Sequence, residues 1–81
     1  MREFVFANDG EKGIAVEFHA YDLVQGEAEA LFRELWALKD DPRIHFAVIT
    51  GEDIAGRFQG SYQEATAFLD KLKSLDFIPA E

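Results

Sequence analysis

The chain has 81 residues, with 16 acidic side chains against 8 basic ones, a net charge of −8 and no cysteine. That length holds one domain, 1–81, and excludes two. The missing cysteines exclude a disulfide framework and a thiolate metal site. The acidic balance disfavours direct nucleic-acid binding, because like charge repels a phosphate backbone.

The hydrophobic fraction is 48%, and eight residues are Phe. A core this small leaves much of its surface wet, and oligomerisation is an ordinary way to bury the excess apolar area. The N-terminal Met-Arg-Glu-Phe-Val-Phe lacks a long apolar run with a cleavage site behind it, and no segment approaches membrane-spanning length. The expectation is a cytoplasmic protein with no membrane contact.

Taken in order, Glu3 to Asn8 reads as a strand, and Asn8-Asp9-Gly10-Glu11-Lys12-Gly13 as a turn whose Asp-Gly supplies a positive φ. Ile14 to Tyr21 alternates cleanly: Ile14, Val16, Phe18 and Ala20 face one way, and Ala15, Glu17, His19 and Tyr21 the other. Asp22-Leu23-Val24-Gln25 has the form of a capping box. From Glu27, the residues Ala28, Leu31, Phe32, Leu35, Trp36 and Leu38 make a broad helical stripe. Asp41-Pro42 stops that helix, since the residue before proline is driven out of the α region.

Arg43 to Thr50 is apolar on both alternating faces, with Ile44, Phe46 and Val48 on one and Ala47 and Ile49 on the other. Such a strand wants cover on both sides, which predicts an interior position in the sheet. A loop from Gly51 to Gly60 follows, with room for a short strand at Arg57 to Gln59. Ser61-Tyr62-Gln63-Glu64 is a full capping box, opening a second helix that buries Ala65, Phe68, Leu69, Leu72 and Leu75. Phe77 and Ile78 in the tail are expected to fold back onto the core.

Glu27 to Leu38 and Glu64 to Leu75 share residues at several matching positions. With a real strand near Phe58 the chain would be two ββα units in tandem. A common amphipathic pattern accounts for the likeness as well, and is the reading favoured by sequence.

The fold expected is therefore an α+β domain. A small sheet of three to four strands, in the order ββαβ(β)α, carries two helices packed on one face. Its core is Ile14, Val16, Phe18, Ile44, Phe46, Val48, Leu31, Leu35, Phe68 and Leu72.

Chemical motifs are few. Gly51-x4-Gly56-Arg57 imitates a phosphate loop but lacks the Lys and Ser/Thr that must follow the last glycine, and Glu52-Asp53 would repel the anion. Asp41 to Gly51 resembles the start of a strand in acyl-CoA hydratase-like proteins. The residues beyond it depart from that family's oxyanion loop, and the chain is much too short for that fold, so membership is not inferred.

His19 and His45 lie on sheet faces by parity, with Glu17 close by, and two histidines with a carboxylate have a metal-site composition. No spacing motif supports one, and no nucleophile stands beside a base. A non-enzymatic protein without cofactor or metal is the expectation, and a ligand- or metal-binding protein or enzyme subunit using the His19/His45 face is the alternative.

Carboxylates gather at Asp22, Glu27 and Glu29, at Asp40-Asp41 and at Glu52-Asp53. The helix dipole favours the first group, at a helix N-terminus, but not Asp40-Asp41 at a C-terminus. The function expected is an interaction or regulatory module acting through protein contacts, with a partner that has a basic surface. An inhibitor of a basic or nucleic-acid-binding protein is its sharper form, and a homodimer is allowed for. The residues expected to meet the partner are Glu17, His19, Tyr21, His45 and Ile49 on the sheet, with Asp40, Asp41, Glu52 and Asp53 around it.

Overall fold

The computed structural model describes residues 1–8 and 13–80. Its elements are β1 (Arg2–Asn8), β2 (Ile14–Ala20), α1 (Gln25–Trp36), β3 (Ile44–Thr50), β4 (Asp53–Gly60), α2 (Tyr62–Ser74) and β5 (Ile78–Pro79). The strands form one five-stranded sheet in the order β3-β4-β2-β1-β5. Neighbours are antiparallel except for β5, which runs parallel to β1. The class is α+β, as the patterning predicts. The expected turn before β2 falls mostly outside the described residues. Its last residue, Gly13, has φ +103, and a Cβ there would meet the Gly60 carbonyl oxygen at 2.4 Å.

The sheet departs from expectation in strand count and in order. The stretch near Phe58 is a full strand, β4, and it lies inside the sheet between β3 and β2. β3, predicted to be interior, is an edge strand. Burial follows neighbours rather than apolar content: Ile54 and Phe58 of β4 are 2% and 1% exposed, whereas Val48 and Ile49 of β3 are 46% and 59% exposed.

The chain is two ββα units in tandem. Exchanging β1 with β3 and β2 with β4 leaves the order of these four strands unchanged. Phe4 pairs with Phe18 in the first hairpin as Ile44 pairs with Phe58 in the second. The helices bury Ala28, Leu31 and Leu35, and Ala65, Phe68 and Leu72, at identical spacing. One shared amphipathic pattern is therefore not the whole explanation of the likeness.

α2 starts where its capping box says. Ser61 Oγ accepts from Glu64 N–H at 3.2 Å, and a Glu64 carboxylate oxygen accepts from Ser61 N–H at 3.0 Å. α1 does not use Asp22. Its N-cap is Val24, with no side-chain cap, and Asp22 takes a positive φ of 55. Leu23 explains the difference: its side chain is buried and its N–H donates to the Glu52 carbonyl, fixing the chain just before the helix. The helix also ends at Trp36, well short of Pro42, and passes into turns.

Between helices and sheet, Phe68 stacks on Phe58 with ring centroids 4.6 Å apart and lies 5.5 Å from Phe18, which meets Phe77 edge-on at 6.0 Å. Val16, Phe18, Ile44, Leu31, Leu35, Phe68 and Leu72 are buried as expected, Ile14 and Phe46 only partly, and Val48 is exposed. Phe77 returns to the core, while Ile78 stays half exposed as it pairs beside β1.

Candidate functional site

Core residues Phe4, Val16, Phe18, Ile44, Ile54 and Phe58 share one face of the sheet, and both helices bury their stripes against it. Alternation along each strand then sends the intervening side chains to the other face, which neither α1 nor α2 covers. Register orders that face into rows. Val5 lies opposite Glu17, Glu17 opposite Arg57, and Arg57 opposite His45. In the next row Ile78 lies beside Glu3, followed by His19, Ala55 and Ala47. All of these except Ile78 border a broad concavity of about 690 Å³.

The expected contact residues separate into two groups. Glu17, His19, Tyr21 and His45 come to the open face, with Asp53 at its end. The His19 ring is 5.0 Å from that of Tyr21, and its Nε2 is 3.9 Å from Asp53 Oδ1. β4 separates His19 from His45, so the two do not approach one another. Among the described residues, no cluster of three or more His, Cys, Asp or Glu could hold a metal ion. Burial raises the Tyr21 phenol pKa, and the Glu3 carboxylate accepting its hydrogen bond pushes the same way. Tyr21 therefore stays a neutral donor, apolar in body and polar at its tip, a combination suited to an interface anchor.

Ile49 is where the alternation fails. The register shifts between Val48 and Thr50, so Ile49 is the extra residue of a bulge at the end of β3. The acidic pairs are also divided. Asp40-Asp41 precede β3 and Glu52-Asp53 follow it, roughly 20 Å apart at the rise of a strand. Glu52 is exposed in the hairpin turn, and Asp40 is exposed beside Lys39 at 3.2 Å.

Asp41 serves the fold instead. Its carboxylate accepts from Arg43 Nε at 2.9 Å, from Arg43 NH2 at 2.7 Å and from the Arg43 backbone N–H at 3.0 Å, while Arg43 NH1 reaches Glu64 at 2.6 Å. These bonds hold the Asp41 carboxyl at about 2. Bonds from the Ser61 backbone first, and then from Arg43, lower Glu64 as well.

A carboxyl depressed on folding adds stability that is present above its unfolded pKa and lost as pH falls through its folded pKa. Asp41→Asn is thus expected to flatten the acid limb of stability between pH ~4 and ~2, read as urea midpoint against pH. An unchanged limb would show that Asp41 is not part of the acid response.

Sequence reading misses Ala55 and Arg57 as site residues because it takes 51–60 as a loop with room for a short strand at Arg57 to Gln59, not as the full strand Asp53–Gly60. The signal is Asp53, Ala55, Arg57 and Gln59 alternating with Ile54, Gly56, Phe58 and Gly60, a period of two masked by glycines in the buried phase. No family model matches the chain, and neither the curated proteins nor the solved structures yields a significant match. Among the described residues, no helix is long and apolar enough to cross a membrane.

Proposed function

We propose that the chain is a small non-enzymatic interaction module that grips a protein partner through the open face of its sheet. The partner's surface is basic, and inhibition of a basic or nucleic-acid-binding protein is the sharper form of the reading. The observation that carries it is the composition of that face. Val5, Ala47, Ala55 and the Tyr21 ring supply apolar contact, while the carboxylates of Glu3, Glu17 and Asp53 outweigh the charge of Arg57 among them. Such a face is more apolar than ordinary wet surface and more charged than a dry core, which suits a surface covered on association. The net charge of −8 steers a basic partner toward it.

The concavity also lies within the ~300–1,000 Å³ range of small-molecule sites, which keeps a ligand-binding reading in view. Selection from displayed peptide libraries separates the two. Peptides rich in Lys and Arg with an apolar anchor are expected to be enriched, to lose binding to Tyr21→Ala and Glu17→Lys, and to retain it with Asp40→Lys. Enrichment of acidic peptides, or equal loss with Asp40→Lys, would contradict the proposal.

A further inference from the structure

β1 and β3 are counterparts in the tandem units, but their outer sides differ. β5 pairs along part of the outer side of β1, while among the described residues β3 pairs only with β4. Gln59 N–H donates to the Arg43 carbonyl at 2.9 Å, which marks these opposed residues as a hydrogen-bonded pair. Antiparallel ladders alternate, so His45 and Ala47 turn their backbone groups toward β4, and Phe46 and Val48 turn theirs outward. The Ile44 N–H, also on the outer side, is taken by the Asp41 carbonyl at 3.1 Å.

An exposed edge is ordinarily blunted by charge, proline or cover. From Ile44 to Thr50 there is no Asp, Glu, Lys, Arg or Pro, in a chain that is 30% charged. The bulge touches only the far end. Loss of charge with retention of aromatic and branched side chains is the composition of an interface core. A second apolar hollow adjoins the edge, bounded by Ala28, Phe32, Val48 and Ile54.

We propose that a second copy of this chain pairs with β3, antiparallel, about a two-fold axis at Ala47. The edge is complementary to itself in that register. Phe46 meets the partner's Val48 as a hydrogen-bonded pair, Val48 meets the partner's Phe46, and four backbone bonds close between them. Each pair sets an aromatic ring against a β-branched side chain, a favourable cross-strand combination. No like charges are opposed along the strand, so the repulsion expected from two acidic chains is least along this edge. The two sheets become one, and their open faces adjoin. This dimer rests on strand order and ladder phase, independently of what binds the open face.

Sedimentation equilibrium of the wild type and Val48→Lys tests it, together with oxidation of Ala47→Cys and Ala30→Cys. Val48 is already half exposed, so the lysine need not disturb the monomer, which circular dichroism checks. The chain lacks cysteine, so each variant has a single thiol. Across the axis the two Cα atoms of residue 47 would be about 4.5 Å apart, within disulfide reach. The expected result is a wild-type dimer, a dissociation constant raised at least tenfold by Val48→Lys, and disulfide-linked dimer forming far faster from Ala47→Cys than from Ala30→Cys. A wild type that stays monomeric at millimolar concentration would overturn the proposal. So would a dimer indifferent to Val48→Lys, or one whose residue 47 crosslinks no faster than residue 30.

Discussion

Phe58→Ala is expected to lower the free energy of unfolding by about 3–5 kcal/mol, the usual cost of removing a buried phenylalanine. Phe58 is 1% exposed, stacks on Phe68 and has the Arg43 guanidinium 5.2 Å over its ring. Its removal opens a cavity between β4 and α2 that flanking backbone cannot close. A domain of this size has only about 5–15 kcal/mol in hand, so a large part of the variant should be unfolded under mild denaturant. Chemical denaturation followed by circular dichroism measures the loss. A change of less than ~1 kcal/mol, the scale of ordinary surface substitutions or little above it, would mean that β4 is not in the middle of the sheet.

Gly56→Ala probes the same strand with opposite expectations from context and from propensity. A strand glycine replaced by alanine normally gains about 0.5–1 kcal/mol, because the chain loses less entropy on folding. Here a Cβ would stand 2.2 Å from Phe18 Cζ. Phe18 is 2% exposed and hemmed in by Phe68 and Phe77, so its ring has no room to retreat. Overpacking of this kind costs about 1–3 kcal/mol, occasionally more, and the contact is close enough to place this substitution at the upper end. Thermal melting should show a lower midpoint. A raised or unchanged midpoint would contradict the packing of Phe18 over Gly56.

Local rules were readable in the chain wherever one residue type answers one physical need. Ser61 and Glu64 announced α2, and the stripes Ala28-Leu31-Leu35 and Ala65-Phe68-Leu72 announced the helix faces. The alternation in Ile14 to Tyr21 placed Glu17, His19 and Tyr21 on the open face. Strand order was not readable, because pairing partners leave no mark on the strand itself. β3 looked interior because both its faces are apolar, yet among the described residues its single strand neighbour is β4. β4 looked like a loop with a short strand at Arg57 to Gln59 because Gly56 and Gly60 occupy the buried phase, where Phe18 and Phe58 use the space that side chains would fill. Asp41 looked available to a partner, but the turn through Pro42 brings the Arg43 fork onto it. With β4 restored to the sheet, Arg57 and Ala55 join the open face, and His19 and His45 are parted.

The claim that a protein partner is held on the open face is tested most directly by mapping backbone amide shifts as a basic, apolar-anchored peptide is titrated into the labelled chain. The shifts are expected to concentrate at Glu3, Glu17, His19, Ala55 and Arg57, to weaken as salt rises because exposed charges are screened beyond roughly 8–10 Å, and to vanish with Tyr21→Ala. Shifts concentrated on the outer surfaces of α1 and α2, or spread evenly over every acidic residue, would contradict it.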